Sequence, residues 1–104
     1  SDFAHVRANG TKYVGSNMLL IKAPSPDGRL RCGVICGKKF SNKAVVRNRA
    51  RRLLWESFRL LKDRIGIWHM TLIPRRRILD RRQPEVRRDL EALLAQAEAL
   101  KPPV

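Results

Sequence analysis

The sequence has few acidic residues. Nine Asp and Glu stand against 23 Lys and Arg, which gives a formal net charge of +14 at pH 7. So large an excess predicts an acidic partner, and RNA, DNA and an anionic membrane surface would all qualify. The acids lie mostly in the last predicted helix or singly in loops, so they do not supply the converging carboxylates of a two-metal nuclease. We therefore expect no catalytic residues in this chain.

Cysteine and histidine are scarce as well. Cys32 and Cys36 are the only cysteines, and on the strand predicted for this region they would lie roughly 13 Å apart. A disulfide spans at most about 7 Å between Cα atoms, so both are expected to be reduced core thiols. The only histidines, His5 and His69, are distant in sequence. We predict neither a metal site nor a histidine acid-base pair.

Long apolar runs are missing too. No segment approaches the roughly 18 apolar residues of a spanning helix, and no charged-then-apolar signal stands at the amino end. We expect a soluble, cytoplasmic protein without a membrane partner. The chain has 104 residues, 43% of them hydrophobic. This size predicts one domain over 1–104 with a modest core, in which 102–104 form a tail.

The longest helical pattern runs from Asn42 to Arg64 without an internal Gly or Pro. Apolar or small residues recur on one face at α-helical spacing, and cations gather on the other. Ser41 or Asn42 is predicted to cap its start. The apolar face consists of Val46, Ala50, Leu53, Leu54, Ser57, Phe58, Leu61 and Ile65. The opposite face consists of Asn48, Arg52, Trp55, Arg59 and Lys62, with Arg49 and Arg51 on its shoulders.

The charge on this helix favours a polyanionic ligand. Lys43, Arg47 and Arg49 crowd the amino end, where the helix dipole is already positive and folding alone would prefer Asp or Glu. Residues 38–64 hold ten Lys or Arg but only two acids to pair with them. A solvated basic face is the alternative interpretation. Free N–H groups beside several guanidinium groups are nevertheless typical of a phosphate site, so we favour nucleic-acid binding.

The remaining pattern indicates an α+β fold. A short helix over 1–10, strands over 18–23, 30–37 and 67–73, and a last helix opened by Pro84 surround the basic helix. The strand 67–73 is apolar on both faces, which predicts a central position. A second basic cluster, Arg75–Arg77 with Arg81–Arg82, is expected on a loop after it. One face of the strand 30–37 is unusually small, and its glycines would let a ligand approach the sheet.

The ordered motifs around the basic helix resemble a known family. Arg47-Asn48-Arg49 is followed by Arg51-Arg52-Leu53 and then by Glu56-Ser57-Phe58-Arg59. Gly33 and Lys38-Lys39 precede this set. The combination at these intervals is similar to the signature of the bacterial ribonuclease P protein component. The likeness extends from about residue 3 to the last helix and is strongest over 33–59.

The resemblance implies a fold, partners and an activity. The fold would be an α/β sandwich of αβββαβα order with a left-handed crossover, so one further short strand is expected between Tyr13 and Leu30. The chain would be the protein subunit of ribonuclease P and would bind its catalytic RNA and the 5′ leader of precursor tRNA. Magnesium bound mainly by the RNA subunit would perform the hydrolysis. The protein would be a monomer within that ribonucleoprotein, with no cofactor bound tightly by the chain itself.

The resemblance also assigns the site residues. The residues expected to contact structured RNA are Lys38, Lys39, Lys43, Arg47, Asn48, Arg49, Arg51, Arg52 and Arg59. The residues expected to line a cleft for the single-stranded leader are Phe3, Arg7, Gly33, Ile35 and Gly37. A short basic segment precedes the first helix in the family. A start at Ser1 without methionine therefore suggests that some of the natural chain is not included.

Five positions depart from the family pattern, and one of them is His69, which stands where Asp is frequent. Arg7 stands where an aromatic residue is common, Ile35 and Gly37 where small hydroxylated residues are, and Trp55 where Arg or Lys is usual. The indole of Trp55 could stack on a base, cover the helix surface or meet another partner. The alternative functions are a general RNA-binding or ribosomal-type protein and a cationic membrane-surface protein. The second is disfavoured because the aromatic ring of Phe58 lies on the core face.

Overall fold

The computed structural model describes residues 10–102, which form a four-stranded sheet with two helices on one side. The strands are β1 (Thr11–Val14), β2 (Met18–Pro24), β3 (Arg31–Val34) and β4 (Trp68–Pro74), in the sheet order β1-β2-β4-β3. The helices are α1 (Ala44–Leu61) and α2 (Gln83–Gln96). Short 3-10 turns at Lys62–Arg64 and Arg76–Asp80 follow α1 and β4.

This architecture confirms the predicted α+β fold and the central position of β4. The β1–β2 and β2–β4 pairs are antiparallel, whereas β3 and β4 are parallel and are connected through α1. Strand β1 is the further strand that the resemblance implied, although it begins at Thr11, slightly before the expected region. The hand of the crossover stays a prediction. The predicted first helix, with Phe3 and Arg7, falls on residues 1–9 and lies outside the described residues.

The core lies between one face of the sheet and both helices. Residues that pair across neighbouring strands point to the same side of a sheet, so both members of a pair on this face are buried, as Leu20 and Leu72 are. The helices contribute Leu54 of α1 and Leu90 of α2, which are fully buried in the same cluster. Burying such a leucine is worth roughly 1.5–3 kcal/mol. The packing therefore directs the polar side of α1 away from the sheet.

Strand β3 is shorter than predicted, because the chain leaves the sheet after Val34. Ile35 still donates its N–H to the carbonyl of Leu72 at 3.0 Å, and a turn then forms in which Phe40 N–H donates to Gly37 O. Cys36 points into the core and is 4% exposed. The predicted strand over 30–37 thus divides into a paired half and a connecting loop. The alternation of residues alone cannot locate that division.

The predicted cap of the basic helix is wrong. Helix α1 begins at Ala44 with Lys43 as its N-cap residue, and no side chain caps it. Ser41 Oγ instead accepts the N–H of Lys43 at 3.1 Å, which is a local turn ahead of the helix. The first N–H groups of α1 consequently have no side-chain acceptor among the described residues. The α-helix also ends at Leu61 rather than at Arg64, and the 3-10 turn extends it.

Helix α2 follows its sequence signals closely. Pro84 lies in the first turn, and the carboxylate of Glu85 accepts the N–H of Arg82 at 3.2 Å. The apolar residues that recur at helical spacing are buried at Val86, Leu90, Leu93, Leu94 and Ala97, and Leu100 is half-buried. The helix therefore contributes to the core along one face.

Candidate nucleic-acid interface

The loop between β3 and α1, residues 35–43, is held by three arginines. We call it the tethered loop. Arg51 Nη2 donates to Cys36 O at 2.8 Å, and Arg47 Nη1 donates to Ser41 O at 2.9 Å. From the other side, Arg76 Nη2 donates to Phe40 O at 3.2 Å. A guanidinium group has five N–H donors, so each of these arginines keeps others for a ligand. The contacts place Lys38 and Lys39 on an anchored segment.

The structure divides the predicted RNA-binding residues into two groups. Arg47 and Arg51 are half-buried and support the tethered loop, so they have a structural role whether or not they also touch RNA. The exposed group consists of Lys38, Lys39, Lys43, Asn48, Arg49, Arg52 and Arg59. We call this group the cationic face. Helical periodicity placed Arg49 and Arg51 alike on the shoulders of the polar face and could not show that Arg51 supports the loop while Arg49 is exposed.

The charges of the cationic face are not balanced by acids. The ion pairs among residues 10–102 are Arg31 with Asp27, Arg64 with Glu91 and Arg81 with Glu85. None of them includes a residue of the cationic face. The first turn of α1 also contains no acid. Exposed N–H groups, the positive end of the helix dipole and unpaired side-chain cations together form a surface suited to phosphates.

The second basic cluster is joined to this surface, which the sequence did not reveal. Arg76 begins a 3-10 turn directly after β4 rather than an open loop, and its guanidinium reaches the tethered loop. Arg75 Nη1 donates to Gly15 O at 2.9 Å, whereas Arg77 is exposed. Arg76 and Phe40 are 36 residues apart in the chain. No local pattern could have indicated such a contact.

The glycine face predicted for the leader is open. Gly33 and Gly37 are exposed among the described residues, and a Cβ added to either would meet no atom of residues 10–102 within 4 Å. Ile35 is half-buried and lines two grooves. The first, about 370 Å³, also includes Gly33, His69 and Thr71. The second, about 560 Å³, also includes Gly37, Lys38, Lys39 and Arg76. The two grooves share Ile35 and extend from the sheet to the tethered loop. Gly33, Ile35 and Gly37, which were predicted to line the leader cleft, therefore lie next to one another.

The buried polar residues near this face serve the fold. His69 is 4% exposed and lies beside Arg31 in the parallel ladder, so it is a packed residue of the sheet. Cys32 and Cys36 are free thiols, as predicted. Burial raises the pKa of the Cys32 thiol to about 12 and also raises the pKa of the Cys36 thiol. Both therefore stay protonated at neutral pH and are poor nucleophiles.

The described residues do not gather metal-binding side chains. Across residues 10–102, no three His, Cys, Asp or Glu lie close enough to hold a metal ion. The Asp27 carboxylate is engaged by Arg31, which with Ser25 and the Arg29 N–H holds the pKa of Asp27 well below its usual range. No helix in this part of the chain has the length and apolar character needed to span a bilayer.

Known proteins match both the sequence and the fold. A family model described as Ribonuclease P matches residues 1–98. The ribonuclease P protein component of Pseudomonas fluorescens is 36% identical over 75 residues, which cover 72% of this chain and 56% of that protein. The chain thus spans little more than half the length of this relative. The ribonuclease P protein component of Microcystis aeruginosa is 34% identical, over 95% of this chain and 87% of that protein.

Solved structures agree with these matches. The RNase P protein from Thermotoga maritima superposes with a TM-score of 0.80 at 25% identity, covering 91% of this chain and 90% of that one. The RNase P protein of Staphylococcus aureus superposes with a TM-score of 0.83 over 96% of this chain and 92% of that one. At 23% identity, the second comparison supports the fold alone.

Proposed function

The chain belongs to the ribonuclease P protein component family, and from this membership we propose that it binds the catalytic RNA of ribonuclease P and the 5′ leader of precursor tRNA. In this function it assists the endonucleolytic maturation of the tRNA 5′ end. The observation that carries the proposal is the unbalanced cationic face beside the open glycine face. Packing requires neither of these features.

The cationic face is the surface for the RNA subunit. Its exposed cations follow α1 from Lys43 to Arg59 and continue onto Lys38 and Lys39 of the tethered loop. A structured RNA presents phosphates along two backbone strands, and each neutralised phosphate releases counterions. Because Arg47, Arg51 and Arg76 fix the loop, the backbone that carries the two lysines does not have to be ordered on binding. Less ordering leaves more of the interaction energy for affinity.

The glycine face is the surface for the leader. The exposed backbone at Gly33 and Gly37 admits close approach by a single strand, and Lys38, Lys39 and Arg76 stand beside it for the phosphates. Phe3 and Arg7, which the resemblance places over the same cleft, could add stacking on bases. This arrangement supports recognition of single-stranded RNA without hydrogen bonds to particular bases.

The hydrolysis belongs to the RNA subunit in this proposal. Residues 10–102 offer no convergent carboxylates for magnesium, so the ions that perform the cleavage would be held by RNA. The protein contributes by binding. It screens the repulsion between phosphates of the two RNA molecules and binds the leader. Both effects strengthen the binding of substrate and magnesium. We infer that the protein acts as a monomer in the cytoplasmic ribonucleoprotein.

The proposal is tested by affinity and by cleavage. The protein should bind ribonuclease P RNA more tightly than an unrelated structured RNA of equal length at the same salt concentration. Equal affinities would support the alternative of a general RNA-binding protein. Purified protein without RNA should not remove the leader from precursor tRNA in magnesium, and added RNA subunit should restore cleavage. Cleavage by the protein alone at the mature 5′ end would overturn the assignment of catalysis to RNA.

The leader surface has its own test. Gly33→Val adds a side chain where the structure has space, so the fold should tolerate it, and a strand position favours Val. The added bulk should weaken binding of leader-bearing precursor tRNA while affinity for mature tRNA and for the RNA subunit stays unchanged. Gly28→Ala, in the β2–β3 loop, is the control at another exposed glycine. Because the φ of Gly28 is 72°, this change should lower the stability of the protein but leave its RNA affinity unchanged. Equal affinity of Gly33→Val and the parent for leader-bearing RNA would remove this face from the site.

A further inference from the structure

An exposed aromatic groove lies on the carboxyl half of α1. Trp55 is 41% exposed although it is one of the largest apolar side chains in the chain. A groove of about 360 Å³ lies beside it, on the side of the helix that points away from the sheet. The residues that line the groove are Arg52, Trp55, Glu56, Phe58, Arg59 and Lys62.

The indole of Trp55 is supported by the ring of Phe58. The rings of Trp55 and Phe58 meet edge to face, with centroids 5.9 Å apart and planes at 83°. Phe58 is half-buried and packs against the core, so the ring that supports the indole is itself fixed. A supported aromatic surface loses little conformational freedom when a ligand stacks on it. The groove is therefore preorganised for a planar ligand.

The charge of the groove selects an anionic ligand. Arg52, Arg59 and Lys62 contribute three cations and Glu56 one acid, which leaves a net charge of +2. The ion pairs recorded within residues 10–102 do not include these three cations. An aromatic plane bordered by unpaired cations matches a nucleotide, because a base has a π-face for stacking and its neighbours carry phosphates. A peptide or lipid without net charge would use the apolar surface but not this distribution of charge.

We propose that this groove binds one unpaired nucleotide of the RNA subunit, with the base stacked on Trp55 and the adjacent phosphates at Arg52, Arg59 and Lys62. The inference rests on the proposed function and adds a subsite to it. The RNA subunit is the partner because the groove shares Arg52 and Arg59 with the cationic face. The glycine face for the leader lies on the opposite side of the sheet from α1, since Gly33 alternates with the core-facing Cys32 and Val34.

Replacement of Trp55 separates stacking from apolar contact. Trp55→Leu keeps an apolar side chain but removes the aromatic plane, and binding to ribonuclease P RNA should become about 5- to 150-fold weaker. Trp55→Tyr keeps a plane and should stay close to the parent. The salt dependence should be the same in all three proteins, because no phosphate contact is lost. Leu60→Ala is the matched control, an exposed apolar residue of the same helix that does not line the groove.

The nucleotide can be identified and then removed. In a Trp68→Phe background the remaining tryptophan fluorescence comes from Trp55, and RNA should quench it. Photo-crosslinking from Trp55 would map the contacted nucleotide, which is then replaced by an abasic one. Trp55→Leu should cause no further loss with abasic RNA, since the contact is already absent. Independent, additive losses from the two changes would overturn the proposal.

The outcomes distinguish this inference from the function on which it rests. A parent protein that does not prefer ribonuclease P RNA to unrelated RNA would contradict the proposed function. A parent that has this preference, with an equally tight Trp55→Leu variant of unchanged melting temperature, would contradict the stacking site alone. Weakening confined to leader-bearing precursor tRNA would overturn the assignment to the RNA subunit. Loss of self-association with unchanged RNA affinity would assign the groove to a second copy of the chain.

Discussion

Helices α1 and α2 bury comparable apolar faces in the same core and both have a cation at the N-cap, but the first turn of α2 contains an acid and that of α1 does not. Helix α2 has Pro84 and Glu85 in its first turn, and the Glu85 carboxylate accepts the N–H of the N-cap residue Arg82. Helix α1 starts with no acid and no side-chain cap, and cations stand where the dipole is positive. The start of α2 is therefore the more favourable one for helix stability. In the proposed function, α1 gives up local stability for a surface that binds a polyanion.

The largest expected effect comes from removing exposed cations of α1. Replacing Arg49 and Arg52 together by Ala should weaken binding to ribonuclease P RNA by on the order of 100-fold, because two charge-assisted contacts are lost. The slope of log affinity against log salt should become shallower by about 1.5, from 0.7–0.9 for each lost phosphate contact. Filter binding at several salt concentrations measures both quantities. The double replacement Arg87→Ala and Arg88→Ala changes the charge of α2 equally and should leave the slope unchanged.

An unchanged salt slope in the Arg49/Arg52 variant would falsify the role of the cationic face. A loss of equal size in the Arg87/Arg88 control would show that net charge alone attracts RNA. In that case the contrast between the two helices has no functional meaning. Either result is interpretable because these residues are exposed or half-exposed and neither change opens the core.

Arg51 tests the second group of cations, those that hold the tethered loop. Arg51→Ala removes the bond to Cys36 O, so the free energy of unfolding should fall by about 1–2 kcal/mol. Arg49→Ala, two residues earlier and exposed, should change it by less than about 0.5 kcal/mol. Urea unfolding followed by circular dichroism compares the two variants directly. Equal stabilities would mean that Arg51 does not anchor the loop.

A side-chain cap can be given to α1 with one substitution at its N-cap residue. Lys43→Asp places a capping carboxylate at the N-cap position, so the protein should become more stable by about 0.5–1 kcal/mol. Affinity for ribonuclease P RNA should fall, because a cation of the interface becomes an anion. Lys43→Asn caps without the negative charge and should weaken RNA binding less. A variant that gains stability and keeps full affinity would contradict the proposed exchange of stability for function.

The smallest effect is expected at α2. Glu85→Ala removes the acceptor for the Arg82 N–H and the exposed ion pair with Arg81, and the free energy of unfolding should fall by about 0.5–1 kcal/mol. RNA affinity should not change. Thermal unfolding and filter binding of the same sample check the two statements. Altered RNA affinity would extend the interface to the second helix.

Much of the site could be predicted because it lies within one continuous segment. The spacing of Arg49, Arg52 and Arg59 along α1 depends only on helical geometry, and the excess of cations is a property of composition. The outward position of Gly33 followed from the alternation of β3, whereas Gly37 lies in the tethered loop, which the alternation did not predict. The leader contacts of Phe3 and Arg7 stay predictions, since these residues lie outside the described part of the chain.

By itself, the sequence determined the α+β class, the central strand, the packing face of each helix and the basic character of α1, because each depends on local periodicity or charge. Only the tertiary structure decided which arginines are free and which are engaged. Arg51 reaches Cys36 across 15 residues, and Arg76 reaches Phe40 across 36. Contacts of this kind arise when separate elements pack on one core. The sheet, the helix and the loop must therefore be assembled before an arginine can be assigned to the fold or to the ligand.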